Sequence, residues 1–278
     1  MKYFILIYTF LFSLTVNAEE TPQRIIAIGG ALTEIIYKLD GENLLVANDT
    51  TSYYPKEAER LPKVGYQRAL SAEGILSLKP DLVIHTDEAG PRTVLKQLES
   101  AKVKLLEIKS ARSVEDIISS INIIAKSIGK QDKAKKLIAN LQHDKDILKN
   151  RISTQSNRQK VVFILQHGGG APMVAGNQTA ADSIIKLSGA INVISDFEGY
   201  KPLTPEAVIT QSPDIILITD QGLKQAGGKD KLINNNALAL TPAGKNKRIV
   251  SMDSLLLLGF GPRTIDAARQ LHDQFSKL

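Results

Sequence analysis

Two stretches of this chain repeat one another, and that repeat limits the fold more than any other feature. "GYQRALSAEGILSLKPDLVI", from Gly65, and "GYKPLTPEAVITQSPDIILI", from Gly199, each run Gly-Tyr, a short polar bridge, Leu, a hydroxyl residue, Glu, then Pro-Asp and an apolar run. Leu70 to Pro80 and Leu203 to Pro213 span the same interval, ten residues. "KLDG" at Lys38 to Gly41 and "KLSG" at Lys186 to Gly189 form a second matched pair, each closing an apolar helical stretch upstream of the tyrosine. Two such units predict two related lobes.

Each copy carries the signals of a strand, helix, strand unit. Ser71 and Thr204 are good N-caps, Pro205 takes the favoured first helical position, and Leu70 with Ile75, or Leu203 with Val208, has the spacing of a hydrophobic staple. Pro80 and Pro213 then stop the helices. The runs "DLVI" and "DIILI" are short and continuously apolar, as parallel strands covered on both faces should be. "RIIAIG", "KVVFIL" and "RIVSM" alternate with helical segments in the same way, which predicts an α/β fold: two Rossmann-like lobes with mostly parallel sheets.

Between the copies, Gln131 to Ser153 places Ala134, Leu137, Ile138, Leu141, Leu148 and Ile152 at helical spacing with no Gly or Pro. A helix of that length reaches roughly 30 Å at 1.5 Å per residue, enough to bridge two lobes. The expected organisation is a leader over 1–18, an N-terminal lobe over 19–130, the linking helix over 131–153 and a C-terminal lobe over 154–278. The leader is expected because Met1-Lys2 precedes an apolar run, Tyr3 to Val16, that ends in Val16-Asn17-Ala18, with small residues placed for cleavage after Ala18. That run falls short of the ~20 residues a membrane span needs.

Composition narrows the chemistry. The 278 residues, 43% of them hydrophobic, suffice for a sizeable core, and the absence of cysteine removes disulfides, thiolate metal sites, cysteine nucleophiles and a lipid-bearing cysteine. Net charge is +6, or +5 once Lys2 leaves with the leader, and acidic residues interleave with the basic ones. That is a solvated surface rather than a nucleic-acid footprint, with a mild attraction for anionic ligands.

An exported, cysteine-free pair of α/β lobes joined by one long helix resembles the class III periplasmic binding proteins of ABC importers for haem, cobalamin and iron siderophores. The resemblance covers the mature chain, including "RIIAIGGALTEIIYKL" near its start and "LLLLGFGPRTIDAARQL" near its end. "GYQRALSAEGILSLKPDLVI" and "GGGAPMVAGNQTAADSII" resemble the haem-binding branch. The resemblance implies a non-catalytic, monomeric periplasmic carrier that captures haem between the lobes and hands it to an inner-membrane permease with its ATPase. A ferric siderophore or cobalamin carrier is the alternative on the same fold.

Haem would use these residues in definite ways. Ferric iron accepts an axial oxygen such as tyrosinate, and a phenol with a free pKa of about 10 needs the metal and a nearby cation to bind as the anion. Tyr66 is the expected iron ligand, with Arg68 expected on the same side of an extended segment to meet the phenol or a haem propionate. His167, after the strand Val161 to Leu165, is the expected second ligand, and Gly168 and Gly169 would let backbone approach the macrocycle. Tyr200 lacks a following arginine and is expected to form pocket wall. Arg263, near the start of the last helix, is expected to meet a propionate or to form a structural salt bridge. Glu73 and Glu206, matching acids of the two copies, are favoured at helix starts by the helix dipole. In the family resembled, one exposed glutamate on each lobe meets arginines of the permease, and these two fit by position.

Other classes are disfavoured. "HGGG" resembles an esterase oxyanion loop, but the chain contains no Gly-x-Ser-x-Gly elbow. Four scattered histidines do not make a zinc or manganese carrier, and "GGALTE" lacks the remaining glycines of a dinucleotide or P-loop motif.

Overall fold

The computed structural model describes residues 21–278 apart from 156, 167–169 and 235, and without the side chains of 207 and 236. The expected leader therefore lies outside the described residues.

The N-terminal half contains β1 (Ile25–Ile28), β2 (Leu45–Asn48), a hairpin of β3 (Gly65–Tyr66) and β4 (Ala69–Leu70), then β5 (Leu82–Thr86) and β6 (Lys104–Ile108). Four of these form a wholly parallel sheet in the order β2-β1-β5-β6. The C-terminal half contains β7 (Lys160–Leu165), β8 (Met173–Ala175), β9 (Ile191–Asn192), β10 (Tyr200–Pro202), β11 (Ile215–Thr219) and β12 (Ile249–Met252). Here β7, β11 and β12 run parallel, β9 joins β7, and β8 and β10 close one edge antiparallel. Four of the five apolar runs are the central strands β1, β5, β7 and β11, and the fifth is the edge strand β12; β1 and β11 are buried along their whole length, as two-sided cover by helices requires.

The sequence repeat is a backbone repeat. Lys79 (φ 47) and Ser212 (φ 49) both adopt the left-handed conformation just before the helix-stopping prolines. The aspartates that follow do the same work in each lobe. Asp81 Oδ2 accepts the amides of Gln23 and Arg24 at 2.9 Å, at the foot of β1, and Asp214 Oδ2 accepts the amide of Lys160 at 3.0 Å, at the foot of β7. The Pro-Asp pair thus ends a helix and ties its exit to the first strand of each sheet. The two staples also form: Leu70 and Ile75 share one core cluster, and Leu203 packs against the cluster that holds Val208.

The long helix spans Gln131–Ser153. Ala134, Leu141 and Leu148, spaced two turns apart, are buried against the helices Val114–Ser127 and Thr264–Phe275. A single core cluster therefore runs from Ile25 of β1 through this helix to Phe163 of β7 and Phe275. Among the described residues, no helix is long and apolar enough to cross a membrane.

Candidate functional site

In open α/β sheets the carboxyl ends of the strands face the ligand crevice, and the hairpin carrying Tyr66 sits at that end. The segment is not extended through Arg68, as the sequence suggested. Tyr66 pairs with Ala69 across β3 and β4, so Gln67 and Arg68 form a two-residue turn at the tip. Gly65 makes the entry possible with φ 102, which a side chain would strain. The hairpin is pinned from two sides. Thr50 donates its amide to Gly65 O at 2.9 Å, while the amides of Leu70 and Gly90 reach Gly90 O and Gln67 O at 2.9 Å.

This anchoring holds Tyr66 and Arg68 together at an exposed rim. Tyr66 is 40% exposed, high for a tyrosine. Arg68 Nη2 donates to Glu88 Oε2, in the loop after β5, and Glu88 Oε1 accepts Arg112 Nη2 at 2.9 Å. Burial works against the Arg68 charge, but the Glu88 carboxylate and the Tyr66 phenol together outweigh it and raise the guanidinium pKa. Arg112 is fixed in turn, since Asp116 Oδ2 accepts its amide at 3.0 Å and its own Nη1 donates to Ala111 O at 2.8 Å.

The opposite wall comes from the other lobe. Tyr200 lies in β10, on the antiparallel edge of the second sheet, opposite Ala175 of β8. Although 37% exposed, its phenol pKa is raised, first by desolvation, with Glu88 adding to the rise. Arg112, Arg68 and the Thr179 hydroxyl act in the other direction. Those cross-lobe effects place the second repeat's tyrosine within electrostatic reach of the Arg68, Glu88 and Arg112 group. The structure thus brings together Tyr66, Arg68 and Tyr200 from the expected set, and adds Glu88, Arg112 and Thr179. Sequence reading missed Glu88 and Arg112 because nothing in "HTDEAGPR" or "KSARSVED" marks a site; only the loops' meeting gives them a role.

His167, Gly168 and Gly169 lie outside the described residues. Arg263 is placed elsewhere: its Nε and Nη2 donate to Glu34 Oε2 at 3.0 and 2.9 Å, and its guanidinium stacks 3.4 Å from the Tyr54 ring centre. These partners belong to the seam between the lobes, and they support the salt-bridge alternative for this arginine. Glu73 and Glu206 are both exposed in the first turns of matching helices, Ala72–Ser77 and Pro205–Gln211. His85 and His272 are buried, and their Nδ1 atoms lie 2.9 and 3.1 Å from the carbonyls of Thr86 and Ser188. His143 is exposed on the long helix.

A cavity of about 240 Å³ lies between the lobes beyond Arg112, lined also by Ser113, Lys145, Ser183 and Phe260. Neither Tyr66 nor Tyr200 lines it, and it is smaller than the ~300–1,000 Å³ of usual ligand pockets. Tyr66 and Tyr200 are both more than a third exposed, so the tyrosine site is open to solvent. It offers the Tyr66 phenol oxygen for a hard metal and two guanidiniums for carboxylates, and no group of three or more His, Cys, Asp or Glu that could hold a metal ion occurs among the described residues.

Comparison with known proteins agrees with this architecture. The periplasmic haem-binding protein BhuT, solved with two haems, superimposes with a TM-score of 0.87 at 41% identity, over 91% of this chain and 98% of that one. RhuT, a periplasmic haem-binding protein from Roseiflexus sp. RS-1 in apo form, gives 0.89 at 38% identity, over 92% and 98%. A vitamin B12-binding protein of Pectobacterium carotovorum is 26% identical over 262 residues, 94% of this chain and 91% of that protein. The family model described as periplasmic binding protein matches residues 25–256, and so this chain belongs to the periplasmic binding protein family, whose members are substrate carriers rather than enzymes.

Proposed function

We propose that this protein is the haem-binding component of a bacterial ABC importer, exported to the periplasm with its leader cleaved after Ala18. The observation that carries the reading is the pairing of Tyr66 with Arg68 on one anchored hairpin, with Tyr200 of the other lobe within electrostatic reach of Arg68. The phenol supplies an axial oxygen for ferric iron, and the guanidinium stabilises that oxygen or takes a propionate. His167 is the proposed second iron ligand, with Gly168 and Gly169 allowing close backbone approach. Tyr200 forms pocket wall, and Glu73 and Glu206 dock the permease. The likeness to BhuT and RhuT supports haem over the cobalamin that the Pectobacterium protein is named for.

The test is haemin addition to the purified protein. A tyrosinate-type visible spectrum that disappears in Tyr66→Ala is expected, with a milder change in His167→Ala. An unchanged spectrum in Tyr66→Ala, or tight cyanocobalamin binding without haemin binding, overturns the assignment.

A further inference from the structure

Glu88 bridges two guanidiniums beside Tyr66. One oxygen accepts Arg68, at the tip of the Tyr66 hairpin, and the other accepts Arg112 at 2.9 Å, from the loop before the helix Val114–Ser127. The three side chains are 56%, 37% and 31% exposed for Arg68, Arg112 and Glu88, so the cluster lies at the exposed rim rather than in the core. Two cations sharing one anion keep a net positive charge. Both guanidiniums are held in carboxylate-binding geometry by a group that belongs to the protein.

We propose that Arg68 and Arg112 form the receptor for the ligand's two carboxylates, and that Glu88 is a positioning residue, a resident carboxylate that the ligand displaces on entry and that returns on release. An ion pair this exposed contributes little to stability, so its place beside Tyr66 points to exchange. Glu88 presets the two arginines against their mutual repulsion. It also competes with the ligand, which limits retention and favours hand-over.

The inference rests on the haem reading, and the experiment separates the two. Affinities for haemin and for haemin dimethyl ester, whose propionates carry no charge, are measured on the unaltered protein, Glu88→Gln, Glu88→Asp and Arg112→Ala. Glu88→Gln keeps the shape but removes the competing charge. The preference for haemin over the ester is expected to rise about fivefold, the equivalent of losing exposed ion-pair competition. Arg112→Ala is expected to lower that preference by a similar factor, and Glu88→Asp to restore it to near that of the unaltered protein. A purely structural Glu88 would shift both ligands equally. A preference unmoved in Glu88→Gln or in Arg112→Ala overturns the inference while leaving haem binding in place; failure of the unaltered protein to bind haemin overturns both.

Discussion

The hydroxyl of Tyr53 joins the two lobes through both of its hydrogen-bonding functions: it donates to Asp253 Oδ2 at 3.0 Å and accepts the amide of Leu255 at 2.8 Å. Burial pushes this phenol up to about 12, so it stays protonated and the donor role holds across the physiological range. Tyr53→Phe removes the acceptor of the Leu255 amide and leaves Asp253 Oδ2 with only the longer contact from Gln221 Nε2 at 3.4 Å. A loss of about 1–3 kcal/mol is expected, read as a lower denaturant midpoint in chemical unfolding, with the circular dichroism of the folded state unchanged.

Glu34 faces Arg263 across the same seam, almost wholly buried, with its Oε1 unpartnered. Desolvation raises its pKa above the ordinary 4.5 even though Arg263 and Lys38 pull the other way. A carboxyl that holds its proton more tightly when folded favours the fold below its unfolded pKa and loses that contribution as pH rises through the folded value. The thermal midpoint of the unaltered protein relative to Glu34→Gln should therefore fall as pH increases from 4.5 upward, then level off. A difference independent of pH in that window would show that the burial effect is offset by the ion pair.

Gly30 opens the helix Gly30–Lys38, where a Cβ would stand 2.5 Å from Thr51 O and 2.6 Å from Leu255 Cδ1. The first neighbour is backbone and cannot rotate away. Gly30→Ala should cost about 1–3 kcal/mol through this overpacking and disturb the Tyr53 contacts, seen as a reduced midpoint in urea. Gly74→Ala is the control, since a Cβ there meets only Ser71 at 3.7 and 3.8 Å, an ordinary contact.

Glu73 and Glu206 project from equivalent first turns, one on each repeat. The double substitution Glu73→Ala, Glu206→Ala should abolish haem-dependent growth in cells that rely on this importer, while haemin titration of the purified variant stays as before. Loss of haemin binding itself would remove these residues from the docking role.

The sequence by itself determined the parts that local physics controls. Hydrophobic runs marked buried strands, caps and prolines bounded the repeated helices, and unbroken 3.6-residue spacing set Gln131–Ser153 as one helix. The tyrosine of each repeat was legible because duplication exposes what one copy has and the other lacks, as with Arg68 against Lys201-Pro202. The shape of the hairpin was not legible, because the bonds that pin it, from Thr50 to Gly65 O and between Gly90 and both Leu70 and Gln67, join it to loops distant in the sequence. Only the tertiary structure decided that Glu88 and Arg112 meet beside Tyr66, and that Arg263 is engaged by Glu34 and Tyr54 at the seam. A charge declares its sign in the sequence, but its partner is chosen by the folding of distant loops into one place, where desolvation and geometry favour a single pairing.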